Sequence, residues 1–339
     1  MNNFWKQLNK PFFCLAPMED VTDVAFREMF ARYSVQESRS KSQDPKANPF
    51  VMYTEFVNVD GLTHPEGYKK LSLDLKFTEI QRPMVAQIWG TNPEKFYQAA
   101  KIIVDLGFDG IDINMGCPQD KEIGIGACAA LIRNPQLASE IIEATIKGAG
   151  TLPVSVKTRV GYTNTSEMGN WVTHLLQHDI KALAIHARTK QEKSKVPAQW
   201  EKVAEAVKIR DKVQGGRGKE DRTLIIGNGD VKSLEEGLKR VKETGCDGVM
   251  IARGAFGNPW IFRNDGYQPS VKERLAVMLE HARLFDEILG KHKSFVIMRK
   301  HFKAYANGFD GAAELRAKLM ETKNLSETEE VVKQYFTEN

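Results

Sequence analysis

MVAQIWGTNPEKFYQAAKIIVDLGFDGIDINM, residues 84–115, decides the fold. It opens on a short apolar run, Met84–Trp89, and closes on a second, Gly110–Met115. Between them, Pro93–Leu106 carries Phe96, Ala99, Ala100, Ile103 and Leu106 at the spacing of one helix face. Both runs are apolar nearly throughout, as expected of parallel strands covered on two sides, and the helix between them is the crossover.

The same unit recurs in both directions. Apolar runs stand at Phe12–Leu15, Val51–Phe56, Val154–Val160, Ala182–His186, Leu224–Gly227 and Gly248–Ala252, with helical patterns at Pro135–Ile146, Glu167–Gln177, Ala198–Ile209 and Ser233–Thr244. Eight strands alternating with helices predict an α/β chain with a (β/α)8 TIM barrel over residues 1–262. An open doubly wound sheet is the alternative, but the count of eight favours closure, and no Gly-x-Gly-x-x-Gly turn follows the first strand. From Pro269 the chain is strand-poor, so residues 263–339 are expected to form a small all-helical domain. Gln36–Asn48 and Gln214–Arg222 read as mobile polar insertions.

The chain has 339 residues, 42% hydrophobic and 27% charged, with a net charge of +4. That is the balance of an ordinary globular protein, so only the distribution of charge can point to nucleic acid. Cys14, Cys117, Cys128 and Cys246 form no Cys-x-x-Cys pair, which favours reduced thiols over a disulfide scaffold. Met1–Lys10 lacks the apolar stretch of a secretory signal, and no uncharged run approaches the roughly 18 residues of a membrane helix. The expectation is a cytoplasmic monomer without a membrane partner.

Functional residues of such barrels lie where strands end. Those positions hold Ala16-Pro17-Met18, Gln87, Asn114 to Pro118, Lys157 with Arg159, His186-Ala187-Arg188, Asn228-Gly229-Asp230 and Ala252-Arg253-Gly254. Glycines after strands seven and eight let backbone N–H groups approach an anion, and Arg253 adds charge, so a phosphate-bearing ligand is expected there; tight turns are the plainer alternative. Lys157 ends an otherwise buried strand, where a reduced flavin would give its charge a partner, although a lysine can also snorkel out. Gln87 can bond a ring edge or close a loop, and His186 can meet a phosphate or simply pack. Cys117, between a glycine and a proline just past a strand, has the protonated thiol that a general acid needs at neutral pH. Asn114 can orient a substrate base. Cys14, Cys128 and Cys246 read as structural.

Together the segments LAPMEDVTDVAFR (15–27), VAQIWG (85–90), GIDINMGCPQDK (110–121), SVKTRVGY (155–162), IHART (185–189), GNGD (227–230) and MIARGAFGNPWIF (250–262) resemble the tRNA-dihydrouridine synthase family. The resemblance implies bound FMN, NADPH as reductant, hydride transfer to C6 of a tRNA uracil, and Cys117 as the proton donor to C5. It further implies that Ala16, Pro17, Met18, Gln87 and Lys157 contact the flavin ring, with His186, Asn228, Gly229, Ala252, Arg253 and Gly254 around the phosphate. Asn114, Arg159 and Arg188 are then the uracil or substrate-phosphate contacts. His186-Ala187-Arg188 stands where relatives usually carry His-Gly-Arg, and Pro118–Ala130 has fewer glycines than many of them.

The run KHKSFVIMRKHFKAY, 291–305, has five Lys/Arg and no acidic residue. Phe295, Met298, Phe302 and Tyr305 share one face, which leaves Arg299, Lys300 and Lys303 opposite, available for phosphates. A solvated face is the plainer alternative, but relatives carry a helical tRNA-binding domain with a similar run. Three rival functions stay open: an FMN-dependent reductase of a free pyrimidine, a non-catalytic RNA-binding barrel, and a flavin-free isomerase.

Overall fold

The computed structural model describes residues 3–34 and 50–338. Eight parallel strands close into a barrel in sequence order. They are β1 (Phe12–Leu15), β2 (Phe50–Asn58), β3 (Met84–Trp89), β4 (Gly110–Met115), β5 (Val154–Arg159), β6 (Ala182–His186), β7 (Leu224–Asn228) and β8 (Gly248–Ile251). The helices after the first seven are α1 (Val24–Tyr33), α2 (Pro65–Leu71), α3 (Pro93–Asp105), α4 (Pro135–Ala149), α5 (Met168–Leu175), α6 (Trp200–Val213) and α7 (Leu234–Thr244). Phe12 to Leu15 of β1 pair with Gly248 to Ile251 of β8, which seals the ring. No helix among the described residues is long and apolar enough to cross a membrane.

Local chemistry sets the helix starts. Pro93 opens α3 behind Asn92, whose side chain accepts from the Glu94 and Lys95 N–H groups, and Pro135 opens α4 behind Asn134 in the same way. Leu106, expected on the buried face of α3, is instead the exposed C-cap residue, because the helix ends before its turn reaches the barrel.

Alternation along each strand splits the apolar residues into two cores. Ile111, Ile113 and Met115 of β4, like Leu183 and Ile185 of β6, face outward into the layer beneath the helices. Cys14, Tyr53, Val85, Ala184, Ile226 and Met250 point into the barrel and fill it. Ile103 of α3 is fully buried in the outer layer, and truncation there would cost about 2–5 kcal/mol.

The 214–222 stretch is anchored at its first residue. Gln214 is buried, donates to the Leu176 carbonyl (2.9 Å) and Thr223 Oγ1 (3.0 Å), and accepts from Thr223 N (2.8 Å). Gly215 to Asp221 beyond it are exposed, as a polar insertion should be. The 36–48 stretch lies outside the described residues.

After β8 come α8 (Val271–Leu289), α9 (Arg299–Tyr305), α10 (Ala312–Glu321) and α11 (Leu325–Glu338). Their apolar core takes in Leu275, Met278, Phe285, Met298, Phe302, Tyr305 and Leu315 together with Val24, Ala25 and Met29 of α1. The C-terminal helices therefore share a core with the first barrel helix. Lys293 reinforces the junction by pairing with Glu55 (3.0 Å) at β2 and Asp74 (2.7 Å).

Candidate active site at the barrel mouth

Inward-facing positions at the C-terminal ends of the strands bring Gln87, Asn114, Lys157, His186 and Asn228 to one mouth. A chain of hydrogen bonds orders the first of them. Ser155 Oγ donates to Asp112 Oδ1 (2.6 Å), Gln87 Nε2 donates to Asp112 Oδ2 (2.7 Å), and Asn114 Nδ2 donates to Gln87 Oε1 (3.1 Å). Asn114 Oδ1 then accepts from the N–H groups of Gly116 and Cys117, both at 3.0 Å. A buried carboxylate thus fixes, through two amides, the backbone that carries Cys117. Burial pushes Asp112 up to about 6, against the pull of Ser155, Gln87 and Lys157.

Asp112 was missed in the sequence, although a signal existed. Counting back two residues from Asn114 along β4 reaches the next inward position, where a charged residue cannot lie without partners.

Lys157 projects into the mouth and makes no hydrogen bond among the described residues. Burial lowers it to about 8, helped by Arg159 and opposed by Asp112 and Cys117. The ammonium has no ion-pair partner within contact among the described residues, although Asp112 is near enough to bear on it. Cys117 is half-buried, packed beside Trp89, Ala127 and Cys128. The neighbouring Cys128 thiol lowers the Cys117 pKa from its ordinary value, with burial opposing.

The two internal arginines hold the frame. Arg159 Nε donates to Gly116 O (2.7 Å), and its Nη1 donates to the carbonyls of Thr189 and Lys193, each at 3.0 Å. It fastens the Cys117 loop to the loop after β6. Arg188, also buried, donates to the Val196 carbonyl (2.6 Å), bonds His186 Nε2 (3.2 Å) and pairs with Asp230. Burial holds His186 well below its usual pKa, and Arg159, Lys157, Arg188 and Arg253 add to the effect, so the ring is neutral. Ala187 turns its side chain into the outer core, and its N–H bonds the Asn228 carbonyl (3.0 Å), so the methyl group stays clear of the mouth.

The loops after β7 and β8 form a cradle. Asn228 Nδ2 donates to the Met250 carbonyl (2.8 Å), and Arg253 Nη2 donates to Asp230 Oδ1 (2.6 Å). Gly229 has φ 137°, and a Cβ there would lie 2.7 Å from that of Ala198. A Cβ on Gly254 would meet the Val231 carbonyl at 2.6 Å. No acceptor among the described residues pairs with the N–H of Gly229 or Gly254. Free donors beside cationic side chains suit a phosphate. Ala16 closes the floor, and Pro17 and Met18 remain half-exposed at the rim.

On the C-terminal helices, Phe295, Met298, Phe302 and Tyr305 are buried. Arg299 is turned onto the Glu321 and Thr322 carbonyls (both 3.1 Å), and Lys300 donates to the Asp20 carbonyl (2.6 Å) in the loop after β1. Lys303 is exposed.

A closed barrel whose strand ends carry an ordered polar network, a half-buried thiol and an anion cradle defines an enzyme of the (β/α)8 class. The family model described as dihydrouridine synthase matches residues 14–339, and the chain belongs to that family. Relatives named probable tRNA-dihydrouridine synthases agree. That of Bacillus subtilis (strain 168), numbered 2, is 43% identical over 326 residues, covering 96% of this chain and 94% of its own. That of Staphylococcus aureus (strain MRSA252) is 41% identical over 338 residues, covering 98% and 95%. Histamine dehydrogenase from Rhizobium sp. 4-9 is similar in fold, with TM-score 0.51 at 12% identity over 80% of this chain and 48% of that one.

Proposed function

We propose that the protein reduces the C5=C6 bond of a uridine in tRNA, using FMN and NADPH, with Cys117 as the proton donor to C5. The observation that carries this reading is the Cys117 loop, pinned by Asn114 and by Arg159 at the edge of a mouth that also holds Lys157, which makes no hydrogen bond among the described residues. FMN fits the residues present. Lys157 offers a cation for the ring's developing negative charge, and Gly229, Gly254, Arg253 and neutral His186 offer donors for its phosphate. When bound and charged by NADPH, FMN supplies the hydride for C6.

The chain's own groups do the rest. Gln87, set by Asp112, and Ala16, Pro17 and Met18 position the ring. Asn114 keeps the Cys117 backbone fixed while the Sγ proton moves to C5. The target base must leave its stack to arrive. Lys303, with Arg299 and Lys300 once RNA competes for them, contacts the tRNA backbone. Arg188, committed to Asp230, supports the cradle more directly than it meets a substrate.

Incubation of the holoenzyme and NADPH with tRNA lacking dihydrouridine tests the reading. Dihydrouridine should form in tRNA and not from free uridine or orotate. Cys117→Ala should keep yellow flavin and NADPH oxidation while losing the product. Full dihydrouridine formation by Cys117→Ala overturns the acid assignment, and turnover of a free pyrimidine alone overturns the tRNA substrate.

A further inference from the structure

Cys128 is a buried residue whose backbone has φ +55°, a region that L side chains rarely adopt. Glycine would take this turn without strain. The thiol held there packs against Cys117, Trp89 and Ala127, in a small apolar cluster separate from the main cores. The backbones of the two cysteines are held together as well, since the Ala129 N–H donates to the Cys117 carbonyl (3.3 Å). Ala127 N bonds the Glu122 carbonyl (2.9 Å) and Ala130 N the Ala127 carbonyl (3.0 Å), so the turn has little freedom to swing away.

We propose that Cys128 is a positioning residue for Cys117, aiming its S–H at the Cys117 sulfur to hold the thiolate left when Cys117 gives up its proton. The inference rests on the reading of Cys117 as the acid. In the step, the former C5=C6 electron pair forms the new C5–H bond with the Cys117 proton. The bonding pair of S–H stays on Cys117 sulfur, and the Cys128 hydrogen remains on its own sulfur while donating. Of the two thiols, the Cys128 proton is the harder to remove, because it is engaged with Cys117 and buried. Glu122 and Glu19 bear on Cys117 as negative charges, which makes a local donor the more useful. A thiol kept in a strained turn beside the reacting sulfur is thereby given a reason.

Alkylation of Cys117 by iodoacetamide as a function of pH, resolved by mass spectrometry of its peptide in the holoenzyme, tests this. Cys128→Gly relieves the backbone and removes the donor, and retained flavin colour and Tm report that the variant folds. In that variant the midpoint for Cys117 should move to higher pH. Its neutral-pH rate, relative to its own high-pH plateau, should fall on the order of tenfold, the worth of one charge-assisted hydrogen bond. Cys128→Ser, whose hydroxyl donates, should restore the wild-type midpoint. A midpoint unchanged in Cys128→Gly, or not restored by serine, overturns the proposal. The alkylation readout is independent of dihydrouridine formation, so failure of the acid assignment in Cys117→Ala is a separate result.

Discussion

Substituting His281 by Leu should make the protein less sensitive to acid. His281 on α8 and His301 on α9 are fully buried with ring centroids 4.7 Å apart, and among the described residues neither has a hydrogen-bond partner on any ring nitrogen. Phe26 of α1 lies 5.8 Å and 5.3 Å from the two rings, and Tyr305 lies 6.1 Å from His281. Burial alone lowers His281 to about 3. For a group whose folded pKa is depressed, stability is present above the unfolded value of about 6.5 and is lost progressively as pH falls toward the folded one. Between about pH 7.5 and about pH 5.5 the unfolded imidazole gains about 1.4 kcal/mol from protonation that the folded ring cannot match. Asp112 and Glu55, raised to about 6 and about 7, titrate in the same window with the opposite sign. Both are present in the two proteins and cancel in the comparison. Urea unfolding at the two pH values is the assay, with the variant losing about 1.4 kcal/mol less than wild type. Equal losses would mean that the folded His281 accepts a proton freely, and the dry seam between barrel and helices would be disproved.

Gly229→Ala should destabilise by about 1–3 kcal/mol and release flavin more readily, since φ 137° and Ala198 leave no room for a methyl; Tm and flavin fluorescence check it. Lys157→Met should weaken flavin retention and slow flavin reduction. In wild type, Lys157 charge-dependent steps should fade as pH rises through about 8, which stopped-flow reduction reads. Arg159→Lys keeps the charge but cannot serve three carbonyls, so dihydrouridine formation should fall about tenfold or more with flavin still bound. Lys303→Ala should lower tRNA affinity and reduce the salt slope of binding by about one, whereas activity at saturating tRNA stays the same.

The barrel was legible because each strand is an apolar run followed by a helix with its own start signal, as in Asn92-Pro93 and Asn134-Pro135. Strand ends were displaced by a few residues, as where β2 runs on to Asn58. The positions facing the mouth were legible as polar residues where apolar ones were due. Their partners were not. Nothing local says that Asp112 sets Gln87, that Arg159 reaches a carbonyl on the neighbouring strand's loop, or that Gln214 buries itself between two others. Cys128 was read as packing only, because neither its φ nor its neighbour can be seen in a linear chain. Likewise Val24, Ala25 and Met29 look like any barrel-helix face until the C-terminal helices are laid against them.

That shared core joins the C-terminal helices to the barrel across a continuous apolar seam. Lys300 reaches across to Asp20, and Lys293 is bound to Glu55 and Asp74, so the surface bearing Lys303 is fastened to the barrel side by polar contacts as well. A polynucleotide lying across both would meet a basic surface and a catalytic rim whose spacing is set by one packed seam.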